Sequence, residues 1–552
     1  ADEYVEPTNL LQMMDQLREE GNQYDYYAVN ILNFIGNSGE ATAQNRHARI
    51  YKNNGRIMYF RSIHEQLKAL DDSPLKIGLS KLLIYHSGYL NKRIKEKNKQ
   101  TRNRQLIDKE LASKETGFDL FNYGNELSLG GDYEAALDAY IKAFNKKGNI
   151  HLEWVSVCLA NMVECLIALR RYNDALAVLK DAELLYEQSA DFKYLKASVY
   201  ALQNRFDEVE QTLHQLLQNK DQFTYVIRSQ DYREYYPYKL LGNVYEQRKD
   251  YEQAVHCYMQ AINYNPYCLE SITRVVHIVL QQHSIDEAYP FVRDNLLSKI
   301  HNQDLLIKIL VGVANNGWVD FAQQLASLYF PEESYEARCF RLKKDLAVPG
   351  TAKGYTKADV LRGVKKGILD LIDLSLLYLD NPNEYGWLKE VLANTREFSL
   401  GDLLDIVKEE QPFAHANIVF LVDRCICLKR FETIDFIIDK LDSQRKLDSA
   451  LFRMLGHLFY QHGYKEIAIS FYQQLSLSDY DANTFVDIIE EFLHQADLEE
   501  ALKFVILAID NDVVEYRILK HGIQLADNLG QREIMFELKK LCELKFYSSN
   551  MA

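Results

Sequence analysis

The chain has 552 residues, of which 47% are hydrophobic and 26% are charged, so it can bury a large core and form two or more domains. Its formal net charge of −15 repels phosphate backbones, and we therefore expect no nucleic acid among its partners. The sequence contains neither a run of about 18 apolar residues nor a signal-peptide pattern, which predicts no membrane span and a cytoplasmic location.

The first ninety residues predict one helix and several strands. A helix is expected over 8–17, where Thr8 or Asn9 can cap it after Pro7. Gly and Asn turns bound the candidate strands, which are 26–34, 48–52, 57–61 and 81–86. Four strands and one helix do not close an α/β domain. We therefore expect a missing sheet partner before residue 1.

A basic run follows this region and precedes the first repeat. It predicts a solvated helical linker over 93–117, because a charge run at this place is typical of an exposed helix. The basic residues are Lys92, Arg93, Lys95, Lys97, Lys99, Arg102 and Arg104.

From about residue 118 onward, a period of about 34 residues predicts stacked helix pairs, since no single pair can bury its apolar face alone. In the clearest copy, small residues at Gly242, Ala254 and Ala261 let two helices approach closely, and Tyr258 fills the groove between them. This is the tetratricopeptide pattern. The same register returns at Gly124, Tyr133, Tyr140 and Ala143, at Ala175 and Ala182, at Ala197 and Tyr200, and at Gly456, Ala468 and Tyr472.

The pattern divides the rest of the chain into three parts. We predict tetratricopeptide repeats over 118–268, degenerate helical repeats over 269–445, and tetratricopeptide-like repeats over 446–552. Helical periodicity continues through 360–372, whereas turn formers over 348–355 and 380–386 predict breaks. The predicted fold class is mostly α, a tetratricopeptide-type α-solenoid preceded by a partial α/β domain over 1–92.

Two residue types could suggest binding or metal chemistry. The 37 tyrosines would suit a peptide-binding groove, but we interpret most of them as helix-packing residues, because the repeat motif requires aromatic residues inside. The eight cysteines fall singly among apolar neighbours or as Cys425-Ile426-Cys427, which is not zinc spacing. We predict that they are buried thiols.

Five short segments follow one another in a fixed order: Ala1-Asp2-Glu3, 48–53, Ile63-His64-Glu65-Gln66, His86-Ser87-Gly88-Tyr89 and Arg102-Asn103. This ordered set resembles the bacterial family 2 glycosyltransferases of the GT-A fold that carry C-terminal tetratricopeptide repeats. The resemblance covers about residues 1–110. It implies an N-terminally truncated GT-A domain, because the nucleotide-binding half of such enzymes is absent from this sequence.

The resemblance implies a role for each site residue. Asp2 and His86 would hold a divalent metal, Mg²⁺ or Mn²⁺, against the diphosphate of a nucleotide-sugar donor. Glu65, with His64 beside it, would deprotonate the acceptor. Lys92 and Arg93 would close over the donor diphosphate, in place of a plain linker role.

Two functions therefore remain open. The first is a fragment of a glycosyltransferase that moves a sugar from a nucleotide-sugar donor to an acceptor peptide or protein recruited by the repeats. This chain alone would be inactive, because the donor-binding half is missing. The alternative is a non-enzymatic tetratricopeptide scaffold or peptide-binding regulator, in which residues 1–92 only cap the array.

Overall fold

The computed structural model describes residues 2–35, 41–60, 66–71, 73–88, 115–394 and 415–547. The chain forms two compact units, Ala1–Asn265 and Pro266–Ala552. The predicted site residues His64, Glu65, Lys92 and Arg93 lie outside the described residues, as does nearly all of the predicted basic linker.

The first unit begins with a small mixed sheet, in which β6 lies between β1 and β2, and β3 forms the other edge. β6 runs parallel to β2, and the other neighbours are antiparallel. The described strands of the unit are β1 Glu3–Tyr4, β2 Tyr26–Ile35, β3 Ala41–Tyr51, β4 Ile57–Phe60, β5 Gln66–Ala69 and β6 Ile77–His86. β4 and β5 pair with each other in a separate two-stranded antiparallel sheet. The four predicted strands are confirmed, although β3 and β6 are longer than expected. The short strands β1 and β5 were not predicted.

Helix α1, Pro7–Glu20, covers one face and one edge of this sheet. Met13 packs against alternate residues of β2, such as Val29 and Ile31, in a buried core. The side-chain amide of Gln16 donates to Leu79 O and accepts from Lys81 N in β6, both at 2.9 Å. The side-chain amide of Asn9 in the same way donates to Lys81 O and accepts from Leu83 N. These two side-chain amides therefore bond the backbone N–H and C=O groups of β6 that the short strand β1 does not reach.

After the sheet, the described part of the first unit contains four helix pairs. They are α2 Gly117–Leu129, α3 Tyr133–Asn145, α4 Glu153–Ala168, α5 Tyr172–Leu185, α6 Ala190–Leu202, α7 Phe206–Gln218, α8 Tyr235–Gln247 and α9 Tyr251–Tyr264. The first helices of successive pairs, α2, α4, α6 and α8, contact one another. They line one surface of the array, which we call the first A face.

The clearest repeats share one packing arrangement. Gly242 of α8 faces the ring of Tyr258, so that a Cβ at this glycine would lie 2.6 Å from the ring, and the Tyr258 hydroxyl donates to Asn243 Oδ1 at 2.6 Å. The same arrangement occurs at Gly124, Asn125 and Tyr140, and at Gly456, His457 and Tyr472. These three tyrosines are buried, which confirms their interpretation as helix-packing residues.

The second unit is helical in its described part. Its helices are α10 Leu269–Gln282, α11 Ile285–Phe291, α12 Gln303–Asn315, α13 Val319–Tyr329, α14 Tyr335–Asp345, α15 Lys357–Lys365, α16 Leu371–Asp380, α17 Leu388–Asn394, α18 His415–Cys427, α19 Phe431–Ser443, α20 Ser449–Gln461, α21 Lys465–Tyr472, α22 Ala482–His494, α23 Leu498–Asp510, α24 Tyr516–Asn528 and α25 Arg532–Lys545. None of the helices described in either unit is long and apolar enough to cross a membrane.

The two predicted breaks are confirmed, since 348–355 lies between α14 and α15, and 380–386 separates α16 from α17. The prediction of one continuous helix over 360–372 is wrong. α15 ends at Lys365 and α16 begins at Leu371, because Gly367 adopts a φ of +71°, which ends the first helix in a left-handed turn.

Buried ion pairs hold these irregular helices together. Lys343 Nζ lies 2.6 Å from Asp373 Oδ2, and both side chains are almost fully buried. Arg430, the residue just before α19, donates to Asp380 at the end of α16, again with both side chains buried. Each charge is expensive to bury without its partner, so these pairs fix how the helices pack.

All eight cysteines are free thiols. Seven are buried and Cys427 is half-buried. The prediction of buried thiols is therefore confirmed for all but Cys427.

Candidate functional site

The structure brings the two predicted metal ligands together at the end of β6. His86 Nε2 lies 3.6 Å from Asp2 Oδ2, and the other ring nitrogen of His86 lies 2.8 Å from Asn33 Oδ1. Asn33 is buried and donates to Ala43 O and Asn45 Oδ1, both at 3.1 Å. A polar chain therefore crosses the strand ends from Asp2 to β3.

This sheet-end cluster has the donors of a small divalent-metal site, one carboxylate oxygen and one imidazole nitrogen. The same atoms also make an ordinary Asp–His pair. Gly88 is required here, because a Cβ at this position would fall against the His86 ring and 2.9 Å from Asp2 Oδ2. The roles of Glu65, His64, Lys92 and Arg93 stay predictions, since these residues lie outside the described part of the chain.

A different site lies on the first A face, where a segment of the chain crosses α4 and α6. This segment, which we call the strap, is residues 219–234 between α7 and α8. Asp191, in the first turn of α6, accepts hydrogen bonds from two successive backbone groups of the strap, Arg228 N at 2.7 Å and Ile227 N at 3.3 Å. Tyr225 N donates to Gln188 O at 3.0 Å.

The side chains of the strap also contact the first A face. Arg228 extends to α4, where one terminal nitrogen donates to Glu164 and the other to Asn161. Tyr232 stacks on Tyr194 of α6, with ring centroids 4.8 Å apart and planes 15° from parallel. Similarly, Tyr225 stacks on Tyr186 at 6.2 Å, and its hydroxyl lies 3.1 Å from Ser156 Oγ.

Burial sets the electrostatics of this contact. It raises the pKa of the Asp191 carboxyl, although the backbone donors from Arg228 and Ile227 oppose the shift. Burial lowers the pKa of the Arg228 guanidinium, but the Glu164 carboxylate and the Tyr232 hydroxyl together raise it by more, so the net shift is upward. The strap therefore places a firmly charged arginine against an acidic surface.

The sheet contacts the strap from the opposite side. In β3, Gln44 N donates to Arg228 O at 2.6 Å, and Thr42 Oγ1 donates to Asp231 Oδ2 at 2.7 Å. Thr42 Oγ1 also lies 3.2 Å from Ser229 Oγ. The strap therefore lies between the edge strand of the sheet and the first A face.

In the second unit, the first helices α18, α20, α22 and α24 also contact one another, and we call their surface the second A face. His457 of α20 lies 3.1 Å from both Asp481 Oδ1 and Asp487 Oδ2. Burial lowers the pKa of His457, but the two carboxylates raise it by more, to about 9. Arg453 donates to Asp479 O at 2.7 Å. On this face, polar side chains of one helix therefore pair with polar groups of the next helix or of the connection before it.

One further group in the described residues has metal-binding donors. Asp423 and Cys427, four residues apart on α18, and His462, just after α20, place their ligand atoms within 4.8 Å of one another. Asp423 Oδ1 and His462 Nε2 are 2.7 Å apart and form an ion pair. Burial raises the pKa of the Cys427 thiol to about 12, so a metal ion would have to displace its proton in order to bind. The sequence pattern did not indicate this group, because His462 belongs to the next helix pair.

No role was predicted for the strap from the sequence. A signal was available, since 219–234 is longer than the turns within the helix pairs and carries Tyr225, Arg228 and Tyr232 between two complete repeats. What the sequence could not indicate was the surface that these residues would contact.

Comparison with known proteins identifies the repeat. Residues 235–268 match the family model of the tetratricopeptide repeat. No curated protein matches the chain. Similar solved structures include the APC/C hetero-tetramer Cut9–Hcn1, with 14% identity, a TM-score of 0.37, and coverage of 82% of this chain and 90% of that chain.

Two further solved structures are similar in the same limited sense. YrrB, described as a tetratricopeptide repeat protein with an unusual peptide-binding site, has 16% identity and a TM-score of 0.24, over 37% of this chain and 97% of its own. The pentatricopeptide repeat protein PPR10 from maize has 12% identity and a TM-score of 0.27, over 81% of this chain and 72% of its own. TM-scores below 0.5 support no conclusion about this chain.

Proposed function

We propose that this tetratricopeptide-repeat chain is an interaction scaffold whose first A face holds a polypeptide segment of a partner. One observation carries the proposal: the strap lies on the first A face, held by both its backbone and its side chains. The strap has no regular secondary structure over 223–229 and forms a 3-10 turn at Gln230–Arg233. A surface that accepts this segment has the donors, acceptors and aromatic rings needed to accept a similar segment of a partner.

The contacts divide into a general part and a selective part. Asp191 accepts backbone N–H groups, which every extended segment other than proline can offer. Glu164 and Asn161 accept the two terminal nitrogens of one guanidinium, a geometry that lysine does not reproduce. The first A face should therefore prefer an extended segment that carries arginine.

The test removes the strap from the chain and adds it back as a separate peptide. Residues 225–232 are replaced by a Gly/Ser linker of equal length, and a synthetic peptide of residues 219–234 is titrated into this variant by calorimetry. We expect one peptide to bind per chain. A peptide in which Arg228 and Tyr232 are both Ala should bind at least tenfold more weakly.

The control adds Asp191→Ala to the strap-replaced chain, which removes the backbone acceptor and should also weaken binding. Circular dichroism must first show that both variants keep their helix content. A folded, strap-replaced chain that takes up no peptide would reject the proposal.

We propose a second candidate, a glycosyltransferase fragment, on the strength of the sheet-end cluster. The 3.6 Å separation of Asp2 and His86 supports a shared divalent metal, Mg²⁺ or Mn²⁺, that would neutralise the diphosphate of a nucleotide-sugar donor. In this hypothesis Glu65 or His64 takes the acceptor proton, Lys92 and Arg93 bind the diphosphate, and the repeats recruit the acceptor.

Electron paramagnetic resonance of added Mn²⁺ tests this candidate without requiring turnover. The chain should bind Mn²⁺ and lose binding in Asp2→Asn and His86→Gln. The matched control is Asp423→Asn, which removes a carboxylate beside another histidine. Binding that survives both sheet-end substitutions would count against the candidate.

A further inference from the structure

We propose that Asp423, Cys427 and His462 bind one Zn²⁺ ion, which ties the C-terminal end of α18 to that of α20. One carboxylate, one thiol and one imidazole place their ligand atoms within 4.8 Å of one another. All three residues belong to the second unit, so this site is independent of the strap and of the sheet-end cluster.

The local structure explains how residues from two helix pairs meet here. Asp423 and Cys427 are four residues apart on α18, so their side chains leave the same face of that helix. α18 packs directly on α20. His462 follows α20 at once, and its backbone N–H still donates to Leu458 O at 3.2 Å, which holds the residue at the helix end. Two ligands therefore come from one helix and the third from the end of its neighbour.

The backbone beside two of the ligands is closely constrained. The carbonyl of Cys427 lies against Gly317, in the turn between α12 and α13, where a Cβ would collide with the carbonyl oxygen. Gly317 has a φ of +91°, a conformation that glycine adopts without strain. Gly463, the residue after His462, has a φ of +83° and leads the chain into α21. The fold thus fixes the backbone at Cys427 and His462 without any help from a metal ion, as a preorganised site requires.

The electrostatics of this place favour a cation. α18 ends at Cys427 and α20 ends just before His462, and the C-terminal end of a helix carries partial negative charge. The nearest arginine on α18 is Arg424, which is already paired with Asp370 and Asp373 at 2.9 and 3.0 Å. One thiolate and one carboxylate would balance the two charges of the ion.

The ligand set selects the kind of ion. Sulfur, nitrogen and a single carboxylate suit Zn²⁺, which takes four tetrahedral ligands, whereas Mg²⁺ and Ca²⁺ take six or more oxygens. Three protein ligands leave the fourth position to water. Water can reach it, because the side chains of Asp423 and His462 are 44% and 29% exposed. As the sulfur–zinc bond forms, the Cys427 proton passes to solvent, since Zn²⁺ deprotonates a thiol that coordinates it.

The thiol distinguishes a zinc site from a plain ion pair. Asp423 Oδ1 and His462 Nε2 are 2.7 Å apart and can pair without Cys427. Of the eight cysteines, however, seven are buried and Cys427 alone is half-buried, beside this pair. A measurement that reports bonding to sulfur therefore decides between the two.

Cobalt titration of the reduced full chain provides that measurement, because Co²⁺ replaces Zn²⁺ in such sites and a thiolate bound to it absorbs strongly in the near ultraviolet. One equivalent of Co²⁺ should produce this charge-transfer band, and one equivalent of Zn²⁺ should remove it. Co²⁺ that binds without the band would leave the thiol uncoordinated and reject the proposal.

Matched variants identify the ligands. Cys427→Ala should lose the band, whereas Cys425→Ala, which removes a buried thiol two residues earlier on α18, should keep it. Asp423→Asn and His462→Gln should each weaken Co²⁺ binding by at least the roughly tenfold that is typical of changes around a metal ligand. Circular dichroism first confirms that each variant keeps its helix content. A band that persists in folded Cys427→Ala would assign it to another cysteine and overturn the proposal.

Amide exchange then tests whether the ion ties the two helices together. Zn²⁺ at about ten times its dissociation constant should slow by about tenfold the amides of α18 and α20 that exchange through unfolding of the second unit. Amides of the first unit should not respond, and neither should any amide of Cys427→Ala. Unchanged exchange in α18 and α20 of the zinc-loaded wild type would show that no ion joins them.

Discussion

The two units build the same kind of helix pair but satisfy the polar groups of their A faces differently. On the first A face, an inserted segment supplies Arg228 to Glu164 and Asn161. On the second, His457 and Arg453 belong to α20 itself and bond to groups in or just before α22. The connections there are also shorter, since α20 follows α19 after residues 444–448 and α24 follows α23 after 511–515.

The difference shows how one architecture can have two kinds of surface. Cross-helix pairs on the second A face are fixed to the helices and disappear only if the helices move. The strap joins polar contacts on the first A face to apolar packing, because Phe223 is buried with Ala190 of α6 and Leu216 of α7, and Ile227 is buried as well.

The largest effect should come from removing the acceptor that holds the strap. Asp191→Ala leaves the backbone N–H groups of Ile227 and Arg228 without their acceptor in a buried place, which costs about 3 kcal/mol in the unfolding free energy of the first unit. Urea unfolding, monitored by amide exchange in each unit, measures this loss of unfolding free energy.

The matched change in the second unit is Asp481→Ala, which removes the cap of α22 at Thr484 N and one partner of His457. It should destabilise only that unit, by about 1–2 kcal/mol. The Arg228 amide should exchange faster in Asp191→Ala alone. Equal exposure of that amide in both variants would show that the strap is not held as described.

The second effect is a pH dependence confined to the second A face. The pKa of His457 is raised from 6.5 in the unfolded chain to about 9, so its stabilisation is complete below about pH 6.5 and is lost as the pH rises through about 9. We expect the second unit to lose about 2 kcal/mol between these limits.

The control for this pH effect comes from the first unit. His457→Asn installs the residue found at the equivalent positions Asn125 and Asn243, where a tyrosine hydroxyl bonds an amide. The variant should keep the Tyr472 contact and show a flat stability profile over this range. A loss of stability that persists in His457→Asn would assign it to another group.

The third effect concerns the packing that both units share. Gly242→Ala and Gly456→Ala each place a Cβ against a buried tyrosine ring, at 2.6 Å in the first case. Overpacking outweighs the better helix propensity of alanine, and each variant should lose about 1–2 kcal/mol. Gly148→Ala meets no atom within 4 Å and should stay within about 0.5 kcal/mol of wild type.

If only one of Gly242→Ala and Gly456→Ala lost stability, the glycine–tyrosine packing would not be shared by both units. Thermal unfolding followed by exchange in each unit distinguishes the cases, since each substitution should lower the stability of its own unit only.

The smallest effect is expected at Asp423 and His462 when a chelator removes metal ions. Both side chains are partly exposed, so His462→Gln should then cost about 0.5 kcal/mol or less. With zinc in place of the chelator, the same change should cost the second unit more, because the ion stabilises only a chain that binds it. An equal cost in both conditions would leave Asp423 and His462 as a plain ion pair.

Local patterns predicted much of the fold. The periodic glycine, alanine and tyrosine positions indicated the repeats from the sequence, and Tyr140, Tyr258 and Tyr472 are buried as expected. The helix α1 and four strands also follow from their patterns. In contrast, the helical periodicity over 360–372 concealed the turn at Gly367, since periodicity alone does not detect one glycine in a left-handed conformation.

The candidate sites were predicted less well. Asp2 and His86 do lie together, as a shared site requires, but the roles of Glu65, His64, Lys92 and Arg93 stay predictions. The strap received no role, because its partners Asn161, Glu164 and Asp191 come from two earlier repeats. Their separation along the chain leaves no local pattern.

The sequence by itself determined the helix pairs, because small and aromatic residues at a fixed spacing dictate how two adjacent helices pack. Only the tertiary structure decided which polar groups meet, because Arg228 has its partners on α4, α6 and β3, which are far apart in sequence. A charged side chain pairs with groups that lie within a few ångströms of it. Those groups come together only after the repeats have stacked. The first A face and its occupant are therefore properties of the assembled unit.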